Sequence, residues 1–250
     1  MANILAVTNQ KGGVGKTTTT INVAYNLSKS GKSVLLIDLD PQGNATSGLG
    51  LQKNGLTVRD VLTGTATLTD AVQATSYKNL SVLPTDSALA TLETEIASAK
   101  DRAIRLKQVL VDAAYDVVLI DCPPSLGLLT VNALTAATSV IIPVQTEYYA
   151  LEGLGQLLET MKLVRQALNP RLSILGVVMT MHNARMTLSA QVEEQLRKNF
   201  KDRLFETVVP RNIRVAEAPS HGKPVGEYDK WSKGARSYKQ LTKEVMERLG

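Results

Sequence analysis

Three short stretches of this chain carry residue types suited to handling a polyphosphate. The first is Lys11-Gly12-Gly13-Val14-Gly15-Lys16-Thr17-Thr18. Glycines without a Cβ let the backbone curl until its N–H groups converge on an anion. A helix opening at the same point adds the positive end of its dipole. A lysine after the last glycine reaches the β- and γ-phosphates and the next hydroxyl ligates Mg²⁺, which assigns those tasks to Lys16 and Thr17. The general pattern, G-x-x-x-x-G-K-[ST], is broken at its first position. Counted back from Gly15-Lys16, that place holds Gln10, and an additional lysine, Lys11, follows it.

The second stretch is Asp38-Leu39-Asp40-Pro41-Gln42-Gly43-Asn44 and the third is Asp121-Cys122-Pro123-Pro124-Ser125. Each sets an acid directly after an apolar run. A carboxylate at a strand end beside a phosphate-binding loop holds Mg²⁺, often through water, so Asp38 and Asp121 are metal candidates. Asp38 and Asp40 share a face if the strand continues, so spacing does not rank them. Gln42, Gly43 and Asn44 form a turn suited to sensing a γ-phosphate.

Elements that could position these groups recur along the chain. Apolar runs at Ile4–Val7, Val34–Ile37, Leu80–Leu83, Val117–Ile120, Val140–Val144 and Ile174–Met179 have the character of strands buried on both faces. Helical spacing appears over Thr19–Ser30, from Leu154 to Leu168 with Asn169-Pro170 as the stop, around Val192, Leu196 and Phe200, and over Ala235–Leu249. The alternation predicts an α/β fold in a single domain over residues 1–250, a mostly parallel twisted sheet with helices on both faces. Ligands of such sheets bind at the carboxyl ends of the strands. Residues 50–78 read as a peripheral excursion with short helices. The stripe Tyr238, Leu241, Val245 and Leu249 predicts a terminal helix docked on the sheet, not a membrane-surface helix.

Composition narrows the function classes. The chain has 250 residues, 44% of them hydrophobic and 20% charged, which are globular values. A single cysteine, Cys122, excludes an internal disulfide and a CxxC pair, and reads as a small buried residue. No run is long enough to cross a bilayer and no secretory signal is present, so the expected location is cytoplasmic. His182 and His221 are too isolated for a metal site or a triad. Trp231, between Lys230 and Lys233, reads as a packing anchor. The net charge of +5 is unevenly placed. Residues 1–184 hold 14 basic and 14 acidic side chains, whereas residues 185–250 hold 14 and 9. The excess suits either an ordinary solvated basic face or a polyanion-facing C-terminal surface. Few aromatics accompany it, which argues against base stacking on single strands.

The three motifs together resemble the deviant Walker A, switch I and switch II segments of the ParA/MinD ATPases, of P-loop NTPase type. Pro143-Val144-Gln145, Glu147 through Gly153, and Val209-Pro210-Arg211-Asn212 through Glu217-Ala218-Pro219-Ser220-His221-Gly222-Lys223-Pro224 are similar to the chromosomal ParA (Soj) branch, so the resemblance covers essentially the whole chain. It implies an ATP-binding, Mg²⁺-dependent ATPase cradling nucleotide on residues 11–18. Lys11 matches the signature lysine that reaches the nucleotide of a second subunit, which implies an ATP-sandwich homodimer. Asp40 matches the residue that positions the attacking water, Asp121 the acid that holds Mg²⁺ through water, and Pro210 and Asn212 contacts to adenine. Tyr148 and Tyr149 are expected near the dimer face. The resemblance also implies nucleoid-associated, non-specific binding of double-stranded DNA through Arg185 and Arg214, with Lys198 and Lys223 beside them, and a ParB-type partner that stimulates hydrolysis. The alternative is a membrane-associated positioning ATPase like MinD. An iron-protein-like electron donor would need two cysteines per subunit.

Overall fold

The computed structural model describes residues 2–147, 150–183 and 186–250, and the side chains of all of these but Ala150 and Leu151. The expectations placed on Tyr148, Tyr149 and Arg185 fall outside the described residues. Seven strands form one sheet: β1 (Asn3–Val7), β2 (Val34–Asp38), β3 (Gln73–Ala74), β4 (Leu80–Leu83), β5 (Val117–Asp121), β6 (Ser139–Gln145) and β7 (Ser173–Thr180). Their order is β3-β4-β2-β5-β1-β6-β7, parallel throughout except for β3, which pairs antiparallel with β4. Six of the seven are the six apolar runs. The exception is two residues long and polar at its first position, so no periodicity marks it.

Alternation sends successive residues to opposite faces. Leu35, Ile37, Val118 and Ile120 enter one core, and Val34, Leu36, Val117 and Leu119 the other. The first core is covered by helices Leu128–Ala136, Ala150–Ala167 and Thr187–Phe200. The second is covered by Lys16–Lys29 and Lys233–Leu249. In the latter, Tyr238, Leu241 and Val245 are buried and the helix packs along Lys16–Lys29, so its apolar stripe is spent inside the protein. Among the described residues no helix is long and apolar enough to cross a membrane.

The Asn169-Pro170 stop works through a side chain. Asn169 Nδ2 donates to the carbonyls of Leu134 (3.0 Å) and Ala137 (2.7 Å), tying the end of one helix to the end of its neighbour. The polar stretch before β4 owes its threonines and aspartates to helix starts. Asp60 accepts from the Thr57 backbone N–H at 2.8 Å, and Thr67 and Asp70 cap each other reciprocally. Arg248 shows that a basic residue need not face a partner. Its guanidinium lies 4.1 Å from the Phe205 ring centroid and donates to the carbonyls of Leu175 and Leu204.

At one crossing two backbones touch. Gly222 has φ +61°, and a Cβ there would lie 2.7 Å from Gly50 Cα. Gly222→Ala is therefore expected to cost roughly 2–4 kcal/mol, from left-handed strain and from overpacking against backbone that cannot yield. Urea unfolding measures it. A lower midpoint at unchanged slope is the predicted result, and an unmoved midpoint contradicts it.

Candidate functional site

The phosphate loop leaves the carboxyl end of β1, the strand between β5 and β6, and enters the Lys16–Lys29 helix. Gly13 (φ +74°) and Gly15 (φ +85°) both need the left-handed region, which is why the motif requires glycine there. Gly15 is the helix N-cap and offers no side chain, so the first-turn N–H groups are not consumed by a cap. Because Gly15 turns straight into the helix, it begins at Lys16, three residues before the periodicity suggests. Thr180, at the end of β7, fixes the loop from across the site: its hydroxyl donates to Val14 O at 2.7 Å.

Lys16 is buried, and its Nζ donates to Lys11 O at 3.2 Å. Burial pushes its pKa down, while Asp121 and Asp40 work the other way. Asp38 and Asp121 stand side by side in register at the ends of β2 and β5, both fully buried. Burial and then mutual repulsion raise Asp121; burial raises Asp38. Their hydrogen bonds differ. Asp38 Oδ2 accepts from Thr46 N and Oγ1, both at 2.8 Å, and Oδ1 accepts from Asp40 N at 3.2 Å. Asp121 Oδ1 accepts from Thr20 Oγ1 at 2.9 Å, but Oδ2 has no hydrogen-bond partner. A buried carboxylate oxygen without a donor suits a cation. With the Thr17 hydroxyl close enough to lower the Asp121 pKa, Asp121 and Thr17 fit Mg²⁺. Asp38 has spent both oxygens on the helix Asn44–Gly48 and on the turn at Asp40.

That turn is closed by Asp40 itself, whose Oδ1 accepts from Gln42 N at 3.0 Å and whose carbonyl accepts from Gly43 N at 2.8 Å. Gln42-Gly43-Asn44 thus leads into a short helix clamped to Asp38. Lys11 lies outside the cradle. Its Nζ sits 2.9 Å from Glu147 Oε2, with the two side chains 29% and 47% exposed. Asn9 sets this arm: its Oδ1 accepts from Lys11 N at 3.1 Å and its Nδ2 donates to Pro143 O at 2.7 Å.

Pro210 and Asn212 line a cavity of about 420 Å³ with Gly15, Thr18, Met181 and Tyr238. Asn212 Oδ1 caps the helix Ile213–Glu217, accepting from Arg214 N (3.1 Å) and Val215 N (3.3 Å). A mostly apolar slot beside the phosphate loop suits a purine base. Met181 holds φ +48° at this wall, strained for a side-chain-bearing residue. Thr180, Met181, Tyr238 and Asn9 are absent from the sequence-based set. The rule that ligands sit at strand carboxyl ends points to Thr180, Met181 and Asn9, but nothing in the sequence marks Tyr238.

The basic candidates disperse. Lys198 is exposed on the helix Thr187–Phe200, and Lys223 is exposed beside Gly222. Arg214 is half exposed and already paired, with Glu217 at 2.9 Å and Asp229 at 3.5 Å. His182 bridges Thr146 (3.3 Å) and Glu193 (3.5 Å), and His221 stacks on Tyr228. Burial pushes the Cys122 thiol far up, which makes it inert. Trp231 corrects an expectation. It is 75% exposed and anchors no packing, and the Lys230 ammonium lies 5.2 Å from its ring centroid.

A family model described as an AAA domain matches residues 2–174. The chain is 54% identical over 249 residues to the sporulation initiation inhibitor protein Soj of Bacillus subtilis (strain 168), covering 98% of each. It is 49% identical over 251 residues to the chromosome partitioning protein ParA of Caulobacter vibrioides, covering 98% of this chain and 94% of that one. The chain belongs to the Soj/ParA family of chromosome-partitioning ATPases. Among solved structures, cobyrinic acid a,c-diamide synthase from Mycobacterium smegmatis, with bound ATP analogue and magnesium, matches with a TM-score of 0.89 at 36% identity, over 100% of this chain and 96% of that one. The α/β P-loop fold of this Soj/ParA chain is thus shared with proteins that carry other names.

Proposed function

We propose that this magnesium-dependent ATPase is an ATP-switched DNA-partitioning dimer of the Soj/ParA kind. ATP sits on residues 11–18 with its base against Pro210 and Asn212. Lys16 contacts the β- and γ-phosphates, and Thr17 and Asp121 hold Mg²⁺, Asp121 through water. Magnesium held there would supply positive charge against the triphosphate. Asp40 positions the attacking water, and Lys11 completes the site of a second copy. The ATP dimer binds double-stranded DNA non-specifically, with Arg185, Arg214, Lys198 and Lys223 as the contacting residues. A ParB-type partner speeds hydrolysis and so releases the DNA. On this reading the protein works in the cytoplasm on the nucleoid, as a single-domain subunit.

The observation that carries this reading is the position of Lys11. It follows a loop that already has its phosphate lysine, yet its ammonium is turned out to Glu147 and partly exposed. Two subunits facing each other through this surface would exchange the Glu147 contact for a γ-phosphate, which only the ATP state supplies. Lys11→Ala should therefore bind ATP within about threefold of wild type but fail to dimerise, since it removes no contact to its own nucleotide. Sedimentation velocity with ATP and Mg²⁺ tests this. A Lys11→Ala dimer as stable as wild type would sink the reading.

A further inference from the structure

At the amino ends of the strands, away from the nucleotide, lies a cavity of about 660 Å³ lined by Lys29, Tyr77, Lys78, Lys223 and Glu227 among others. Lys29 ends the Lys16–Lys29 helix, Lys78 lies in the turn before β4, and Lys223 follows Gly222. The three come from remote parts of the chain, two of them from its charge-neutral portion, so a count along the sequence does not reveal their convergence. Among the described residues none of the three ammoniums forms an ion pair. The one carboxylate of the lining, Glu227, already accepts from Tyr25 OH at 3.0 Å. Tyr25 in turn packs edge-on against Tyr77 of the lining, 5.1 Å between centroids. Three cations without ion pairs, Lys29 lying 5.9 Å from the Tyr25 ring centroid, surround one engaged acid and favour an anionic occupant.

A chain of side-chain contacts links the groove to Arg214. Arg214 pairs with Glu217, Glu217 accepts from Tyr228 OH at 3.3 Å, Tyr228 stacks on His221, and Lys223 follows two residues on. It is also tied to the nucleotide-sensing side. The helix that Asp38 clamps through Thr46 leads to Gly50, whose backbone abuts Gly222. All three lysines are exposed, so they act as water-screened point charges without a built recognition pocket. That character suits the regular phosphates of a duplex better than a single bound small anion.

We propose that Lys29, Lys78 and Lys223 form a phosphate-contacting groove that extends the Arg214 face along the backbone of duplex DNA. The proposal rests on the DNA-binding reading above. The test is the full chain carrying Lys29→Gln and Lys78→Gln, titrated with duplex DNA by fluorescence anisotropy in ATP and Mg²⁺ across about 50–200 mM salt. Each lost phosphate contact lowers the slope of log K against log salt by roughly 0.9, so the double variant should lose about 2 per subunit and bind at least roughly tenfold more weakly at the middle of that range. ATP turnover and ATP-driven dimerisation should stay at wild-type levels, because neither lysine touches the nucleotide site. Lys29→Arg with Lys78→Arg should keep the wild-type slope. An unchanged slope in the glutamine variant while wild type binds DNA overturns the groove alone. No ATP-dependent DNA binding by wild type removes the DNA reading itself. Loss of binding to anionic phospholipid vesicles with DNA affinity intact would also overturn the groove.

Discussion

Lys16→Ala is expected to weaken ATP binding by roughly 30- to 150-fold, the equivalent of the about 2–3 kcal/mol that a charge-assisted contact to phosphate contributes. The side chain is buried beside Asp121 and Asp40 and has no surface role to mask the effect. Its removal also takes from the site the cation that offsets those carboxylates. Turnover should fall further than binding, because charge on the γ-phosphate grows toward the transition state. Isothermal titration with ATP and Mg²⁺ measures the first effect and phosphate release the second. Affinity within a factor of two of wild type would remove Lys16 from the phosphate site.

Asp121→Asn should act in opposite directions on stability and activity. Without nucleotide and metal, Asp121 is a fully buried carboxylate with one orphaned oxygen next to a second buried carboxylate, Asp38. An isosteric amide removes that repulsion and the desolvation penalty of the charge, so the ligand-free protein should be stabilised. The pH dependence has a definite sign. Burial raises the Asp121 pKa above its unfolded value, so its contribution to stability is complete at acid pH and is lost as pH rises through the raised value. The stabilising effect of Asp121→Asn in a chelator-treated sample should therefore be small at acid pH and grow with pH. Mg²⁺-dependent hydrolysis should fall by 100-fold or more, on the order of one lost transition-state charge contact. Thermal melts at several pH values and a turnover assay test both halves. A destabilised variant at high pH would contradict the electrostatic account of this pair.

Much of this was legible in the residues because the fold and the phosphate site obey local rules. Val34–Ile37 and Val117–Ile120 are apolar at every position, which only a strand covered on both faces tolerates. Gly13, Gly15, Lys16 and Thr17 keep fixed spacing because one loop and one helix start must place them. What was hidden depends on long-range packing. Asn9 resembles any polar residue until Lys11 and Pro143 are seen on either side of it. Tyr238 is a stripe residue of a terminal helix, and only the docking of that helix brings it to the cavity beside the phosphate loop. The equal standing of Asp38 and Asp40 in a strand-face argument dissolves once Asp38 is buried and bonded to Thr46. Trp231 departs from the packing role its type suggests, because no local pattern records that its segment runs over the surface. The charge asymmetry along the chain says little of where basic side chains go, since Lys198, Arg214 and Lys223 disperse and Arg248 turns inward.

On the function proposed above, ATP creates a DNA-binding surface through a dimer. The most direct measurement is the affinity for duplex DNA of unrelated sequences, titrated across salt with ATP, with ADP and without nucleotide. The prediction is binding with ATP alone, equal for all sequences, with log K falling linearly and steeply against log salt. Equal affinity in the three nucleotide states, or no affinity in any, would contradict it.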